Sequence, residues 1–187
     1  MTVTIANHSS ALAELKNHCP VRERSPKPLV KVEGLAYVVL KRPDIEAAGQ
    51  FFLDFGLLVD RLEGDSLYLR GRAHQHHALI IEEGQAKFDR VGLIASTDSV
   101  QKLAGHFSVP VQERDGPMGG RYVTINDPNG ITLEINCGLS SLAPIEKLEE
   151  SEWNTSDTKK RINETVRKVI TPPTVNKLGH TVHSVQS

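Results

Sequence analysis

Apolar and polar positions change character along the chain. From Lys31 to Gly138 they are dense and periodic, and on either side they are not. Val32–Lys41 (VEGLAYVVLK) has the length and β-branched content of a strand. Pro43–Phe55 places Pro at a first-turn position and sets Ile45, Ala48, Phe52 and Phe55 on one face, which predicts a helix stopped by Gly56. Leu57–Leu62, Ser66–Arg70, His77–Glu82 and Phe88–Ala95 read as four short strands. Ser96 or Thr97 can cap a second helix running to about His106. Val109–Glu113, Gly120–Asn126 and Ile131–Asn136 are strands again, and Asp127-Pro128-Asn129-Gly130 is a tight turn joining the last two.

The order is strand, helix, three strands, and then the same once more. At an offset of 53 residues, Tyr37-Val38 meets Arg90-Val91 and Leu40 meets Leu93. One residue further, Asp44 meets Asp98, Tyr68 meets Tyr122, Leu79 meets Leu133 and Ile81 meets Ile135. This periodicity predicts an α+β fold of two paired βαβββ modules, residues 33–83 and 87–138, forming a curved mixed sheet around a cavity. A curved half-sheet alone would expose its edges, and pairing two halves leaves a concavity that admits a small ligand.

The flanks differ. Residues 1–32 carry Pro20, Pro26 and Pro28 and read as a partly disordered arm with a short helix over Ser10–Asn17. Residues 139–176 read as a linker, acidic over Glu146–Asp157 and basic over Lys159–Lys168. Ile162, Val166, Val169 and Ile170 form an apolar stripe, so a helix is expected over about 157–170, capped by Ser156 or Asp157 and ended by Pro172-Pro173. It reads as a connector packed on the core, with a partner-binding helix as the alternative.

Composition narrows the function classes. The 187 residues are 39% hydrophobic and 24% charged, enough for one core. A formal net charge of −1 argues against a nucleic-acid binder. No apolar run reaches the roughly 20 residues of a membrane span, and the first 30 residues lack a secretory signal core, so a cytoplasmic protein is expected. Cys19 and Cys137 fit no metal or redox spacing and read as free thiols.

The opening GLAYVVLKRPDIEAAGQFFLDFGL and the closing NDPNGITLEINCG resemble the vicinal oxygen chelate superfamily, which includes glyoxalase I, bleomycin-resistance proteins and extradiol catechol dioxygenases. The resemblance covers about residues 33–138 and implies metal-ligand positions at Tyr37, Arg90 and Glu134. Extradiol enzymes use two histidines and a glutamate around Fe(II). A guanidinium has no free lone pair, so Arg90 cannot be a ligand, and an Arg90–Glu134 ion pair is expected instead. Glu134, opposite in facing to Leu133 and Ile135, points toward the cavity and is a weak metal candidate. His74, His76 and His77 form a second cluster. Read as strand neighbours, His76 and His77 point to opposite faces and do not converge. Gly116–Gly120 reads as a hairpin or lid loop.

The end of the chain adds to the resemblance. Lys177-Leu178-Gly179-His180-Thr181-Val182-His183 is similar to Gly34–Leu40, with His180 where Tyr37 stands. In two-domain extradiol dioxygenases the first domain lacks metal and the second opens on such a strand. The resemblance thus implies that residues 177–187 are the first strand of an incomplete second domain and His180 the first ligand of an incomplete triad. The bland alternative is a surface histidine on a tail. The expected function is extradiol ring cleavage of catechol-like aromatic diols by the full-length family member, which uses Fe(II), with this chain inactive alone. The alternatives are a metal-free small-molecule binding protein of the bleomycin-resistance type and a glyoxalase-like isomerase. Expected partners are a small aromatic diol and a second copy in a homo-oligomer, with neither nucleic acid nor membrane.

Overall fold

A computed structural model describes residues 25–145, 156–157 and 172–183. The expected helices over Ser10–Asn17 and 157–170, Cys19, and the end of the last expected strand lie wholly or almost wholly outside the described residues.

The first module runs β1 (Gly34–Arg42), α1 (Ile45–Asp54), β2 (Leu58–Glu63), β3 (Ser66–Arg70) and β4 (Leu79–Glu83). The second runs β5 (Lys87–Ile94), α2 (Thr97–Phe107), β6 (Gln112–Glu113), β7 (Arg121–Asn126) and β8 (Thr132–Cys137). All eight strands form one mixed sheet in the order β2-β3-β4-β1-β5-β8-β7-β6. Within each module the first strand pairs parallel with the last, β1 with β4 and β5 with β8. The modules join through the antiparallel β1–β5 pair, where Val38 faces Val91.

Local chemistry explains the helix ends. The Asp44 carboxylate accepts from the Ala47 N–H at 2.8 Å and caps α1. Pro43 therefore precedes the cap rather than sitting in the first turn. Beyond α1, the Gly56 N–H donates to Leu53 at 2.9 Å and the Leu57 N–H to Phe52 at 3.0 Å. This is a Schellman closure, and it needs the positive φ of 106° that Gly56 adopts. Ser96 caps α2 through the Ser99 N–H, and Ser108 closes it in the left-handed region at φ 53°.

Both helices lie on one face of the sheet. Val38, Leu67, Leu69, Leu79, Ile81 and Val91 pack beneath α1 with Ile45, Ala48 and Phe52. Phe55, expected on that face, is 61% exposed because the helix ends before it. Val100, Leu103, Val123 and Ile135 form the matching core beneath α2. Ala36, Tyr37, Val39, Ile80 and Met118 pack together as a third cluster. Strand β6 is only two residues long, against the expected Val109–Glu113, since Pro110 cannot donate to a ladder.

The expected strand over 177–187 is not formed within its described part, residues 177–183. Residues 172–183 instead run as an irregular strap clipped to the first module. Arg72 and Ala73 donate their N–H groups to the carbonyls of Val175 (3.0 Å) and Asn176 (2.9 Å), and the Val175 N–H donates to Gly56 (3.2 Å). Val175 and Leu178 pack against the core under α1. The strap passes so close that a Cβ on Gly71 would lie 2.2 Å from the Asn176 carbonyl oxygen. Val175, Asn176 and Leu178 give backbone groups to loop and side-chain partners, and no ladder forms there.

Candidate functional site

The middle strands bring Tyr37, Arg90, Glu134 and Asn136 together. Glu134 lies between Leu133 and Ile135, both packed in the cores, so strand alternation turns its carboxylate the other way, as it does Asn136 two residues later. Arg90 Nε donates to Glu134 Oε1 at 2.9 Å, the expected ion pair. The Tyr37 hydroxyl donates to Glu134 Oε2 at 2.5 Å. The ring of Tyr37 lies across Gly92, where a Cβ would stand 2.4 Å from the ring carbon bearing the hydroxyl.

Sequence reasoning missed Arg114, which arrives from the loop after β6. Its Nη2 donates to Glu134 Oε2 (3.0 Å), Asn136 Oδ1 (2.8 Å) and the Tyr37 hydroxyl oxygen (2.6 Å). The guanidinium lies over the Tyr122 ring at 4.3 Å and the Tyr37 ring at 5.3 Å. No local periodicity predicts a loop residue's partner 20 positions away. Asn136 was readable, because it shares a strand face with Glu134.

Arg90 is the centre of a wider network. Its Nη2 reaches Glu82 Oε1 at 2.6 Å and its Nη1 reaches Asp89 Oδ2 at 2.6 Å. Burial opposes the charge on Arg90, yet hydrogen bonds to Glu82 and the charges of Glu134 and Glu82 hold its pKa well above the usual value. Burial, reinforced by the Glu134 charge, pushes the Tyr37 phenol up, so it stays protonated and donates. Tyr68, Ile80, Arg90, Arg114 and Tyr122 line an adjoining cavity of about 270 Å³.

This donor set does not fit a metal. Two guanidinium groups occupy both carboxylate oxygens of Glu134, and cations at that spacing repel a third. No group of three or more His, Cys, Asp or Glu residues able to hold a metal ion occurs among the described residues. Glu134 is thus an ion-pair anchor here. His180 is exposed on the strap.

The histidines depart from expectation. His76 and His77 precede β4 rather than lying on a strand, so alternation does not apply to them. They converge: Nδ1 of one stands 3.1 Å from Nδ1 of the other, and their rings meet edge to face. His77 Nε2 is 3.1 Å from Asp60 Oδ2. Burial pushes His77 down to about 4 and lowers His76 as well. Burial opposes the Asp60 charge, but His77 and Arg61 outweigh it and keep that carboxyl low. His74 remains exposed.

The arrangement of two βαβββ units in one eight-stranded sheet matches solved structures. A Mn(II)-bound glyoxalase from Novosphingobium aromaticivorans is similar at a TM-score of 0.56 with 19% identity, over 64% of this chain and 43% of that one. The homoprotocatechuate 2,3-dioxygenase from Arthrobacter globiformis matches at 0.56 and 19%, over 64% of this chain and 40% of its own. That from Brevibacterium fuscum, in complex with 3,4-dihydroxyphenylacetate, matches at 0.55 and 22%, over 65% and 42%. The chain has the vicinal oxygen chelate fold. It spans less than half the length of these neighbours. No protein-family model matches it, and neither does any curated protein. The glyoxalase neighbour is Mn(II)-bound, whereas Tyr37, Arg90, Arg114 and Glu134 here form an ion-pair and hydrogen-bond network. No helix among the described residues is long and apolar enough to cross a membrane.

Proposed function

We propose that the chain belongs to an extradiol-type ring-cleaving dioxygenase of the cytoplasm that acts on catechol-like aromatic diols. In this reading residues 33–138 are the metal-free domain, 139–176 the linker, and 177–187 the entry to a metal-binding domain. His180 would be one ligand of Fe(II), which would supply diol binding and O2 activation. The fold shared with homoprotocatechuate dioxygenases carries the reading. The Gly179-His180 pair and the cation-filled Tyr37–Arg90–Glu134 position support it. The role of residues 33–138 is then architectural: Arg90, Arg114 and Glu134 hold the sheet closed where a metal would otherwise sit.

The test compares iron content and ring-cleavage turnover of the 187-residue chain with those of a chain continuing downstream, with and without His180→Ala. Iron and turnover confined to the longer chain, and lost in H180A, are expected. Stoichiometric iron and turnover in the short chain would overturn the domain assignment. A longer chain that binds no iron would overturn the dioxygenase reading.

A metal-free small-molecule binding protein of the bleomycin-resistance type is the second reading. The closed network beside the 270 Å³ cavity favours it. A glyoxalase-like isomerase would need a metal at Tyr37, Arg90 and Glu134, where the donor set does not fit one.

A further inference from the structure

An apolar groove of about 440 Å³ lies between α1 and β2. Ile45, Gly49 and Leu53 line it from α1, Val59 and Leu62 from β2, and Leu67 from β3. Leu53, Val59 and Leu62 are 38%, 46% and 65% exposed. Strand β2 is the outermost strand on its side of the sheet, and its outer edge is unpaired among the described residues. An open edge beside exposed apolar side chains invites a covering helix or loop. We propose that residues 158–171 of the same chain occupy this groove, with Ile162, Val166, Val169 and Ile170 turned into it.

The path of the chain carries the assignment. Ile145 donates its N–H to the Arg72 carbonyl at 2.8 Å, and Arg72 donates its own N–H to the Val175 carbonyl at 3.0 Å. Residues 146–171 therefore leave from and return to one place. That place adjoins the groove, because Arg70 at the end of β3 faces Leu58 at the start of β2. Pro173 comes closer still: a Cβ on Gly56, between α1 and β2, would lie 2.4 Å from its carbonyl oxygen. Three residues separate Pro173 from Ile170, a reach of about 10 Å when extended. Ile45 and Leu53 mark the length of the groove on α1, about 12 Å at the helical rise per residue. Ile162 and Ile170 stand the same number of residues apart.

Charge selects the occupant. Glu46 and Asp65 line the groove, and no Lys or Arg does among the described residues. Asp54 at the end of α1 and Glu63 at the end of β2 are exposed. Arg61 of β2 is engaged by Asp60 at 3.1 Å. Within residues 158–171, Lys159, Lys160, Arg161, Arg167 and Lys168 stand against Glu164 alone. A basic segment with an apolar stripe thus complements an apolar groove with an acidic rim. A second copy presenting the same face would set acid against acid. The inference rests on neither function reading above.

Hydrogen–deuterium exchange and methyl spectra of the full chain, L62D and V166D test the proposal. Amides of Ile162, Val166 and Ile170 should exchange at least roughly tenfold more slowly than unprotected ones. Both variants should lose that protection, while Leu69 and Ile81 in the core keep theirs. The Leu53 and Leu62 methyl signals should move in V166D. Three results overturn the docking: no protection over 162–170 in the wild-type chain, protection that survives L62D, or unmoved Leu53 and Leu62 signals in V166D. Protection that rises with protein concentration also overturns it, since a second copy would then supply the segment. The V166D signals decide even if L62D fails to fold.

Discussion

Replacing Glu134 by Gln separates an ion-pair anchor from a metal ligand. The carboxylate receives Arg90 Nε at 2.9 Å on one oxygen, and Arg114 Nη2 at 3.0 Å with the Tyr37 hydroxyl on the other. Its side chain is 8% exposed, those of Arg114 and Arg90 12% and 19%. Arg90 keeps Glu82 and Asp89 when Glu134 is neutralised. Arg114 keeps no carboxylate partner among the described residues. Gln also aims an amide N–H₂ at a guanidinium or a phenolic proton. Breaking one partner of a buried pair costs about 3–5 kcal/mol. Arg114 borders an open cavity and can regain some water, which brings the expected loss to roughly 2–4 kcal/mol. That corresponds to a melting-temperature drop of roughly 4–16 °C for a chain of this size. Urea unfolding and calorimetry, each with and without Mn(II) or Fe(II), provide the measurement. A loss below about 0.5 kcal/mol would refute the anchor role. So would a divalent metal that stabilises the wild-type chain but not E134Q. Replacing Glu134 by Leu together with Arg114 by Met should cost less than E134Q alone, because no buried charge is stranded.

Other predictions follow from single positions. Gly71→Ala forces a Cβ against the Asn176 carbonyl oxygen, which loosens the strap; with three backbone hydrogen bonds and the packing of Val175 and Leu178 at stake, a loss of roughly 2–4 kcal/mol in urea unfolding is expected, with faster amide exchange at Arg72 and Ala73. Ser108 closes α2 with a positive φ that a side chain disfavours, so Ser108→Gly should stabilise by about 0.5–1 kcal/mol, and a loss would contradict the left-handed cap. His77 titrates near 4 in the folded chain and near 6.5 unfolded, so the unfolded chain binds the extra proton between those values. Stability should therefore be full above about pH 6.5 and fall by up to roughly 3 kcal/mol as pH drops toward 4. His77→Phe should flatten that stretch of the stability–pH curve, and an unchanged slope would show that His77 is not its source.

Local signals were enough for most of the backbone. The 3.6-residue stripe of Ile45, Ala48 and Phe52, the Asp44 and Ser96 caps and the Asp127–Gly130 turn act over a few residues, and each left its mark in the sequence. The period of two along β8 turned Glu134 inward, which made its pairing with Arg90 readable. Where the strand pattern broke, the reading failed. His76 and His77 precede their strand, so they meet rather than diverge. The Lys177–His183 segment reads locally as a strand. With Gly56 and Gly71 cleared for it, it packs as a strap instead.

The sequence by itself determined two βαβββ modules, their order and the facing of most strand residues, because capping and alternation are short-range effects. Tertiary structure decided what meets at the centre. Arg114 joins Tyr37, 77 positions away, and Tyr37 joins Glu134, 97 positions away, only when β1, β5 and β8 close side by side. Room for the Tyr37 ring depends on Gly92 in the neighbouring strand. Charge balance around a buried carboxylate depends on every group that the closed sheet brings within reach, and no local pattern encodes that sum.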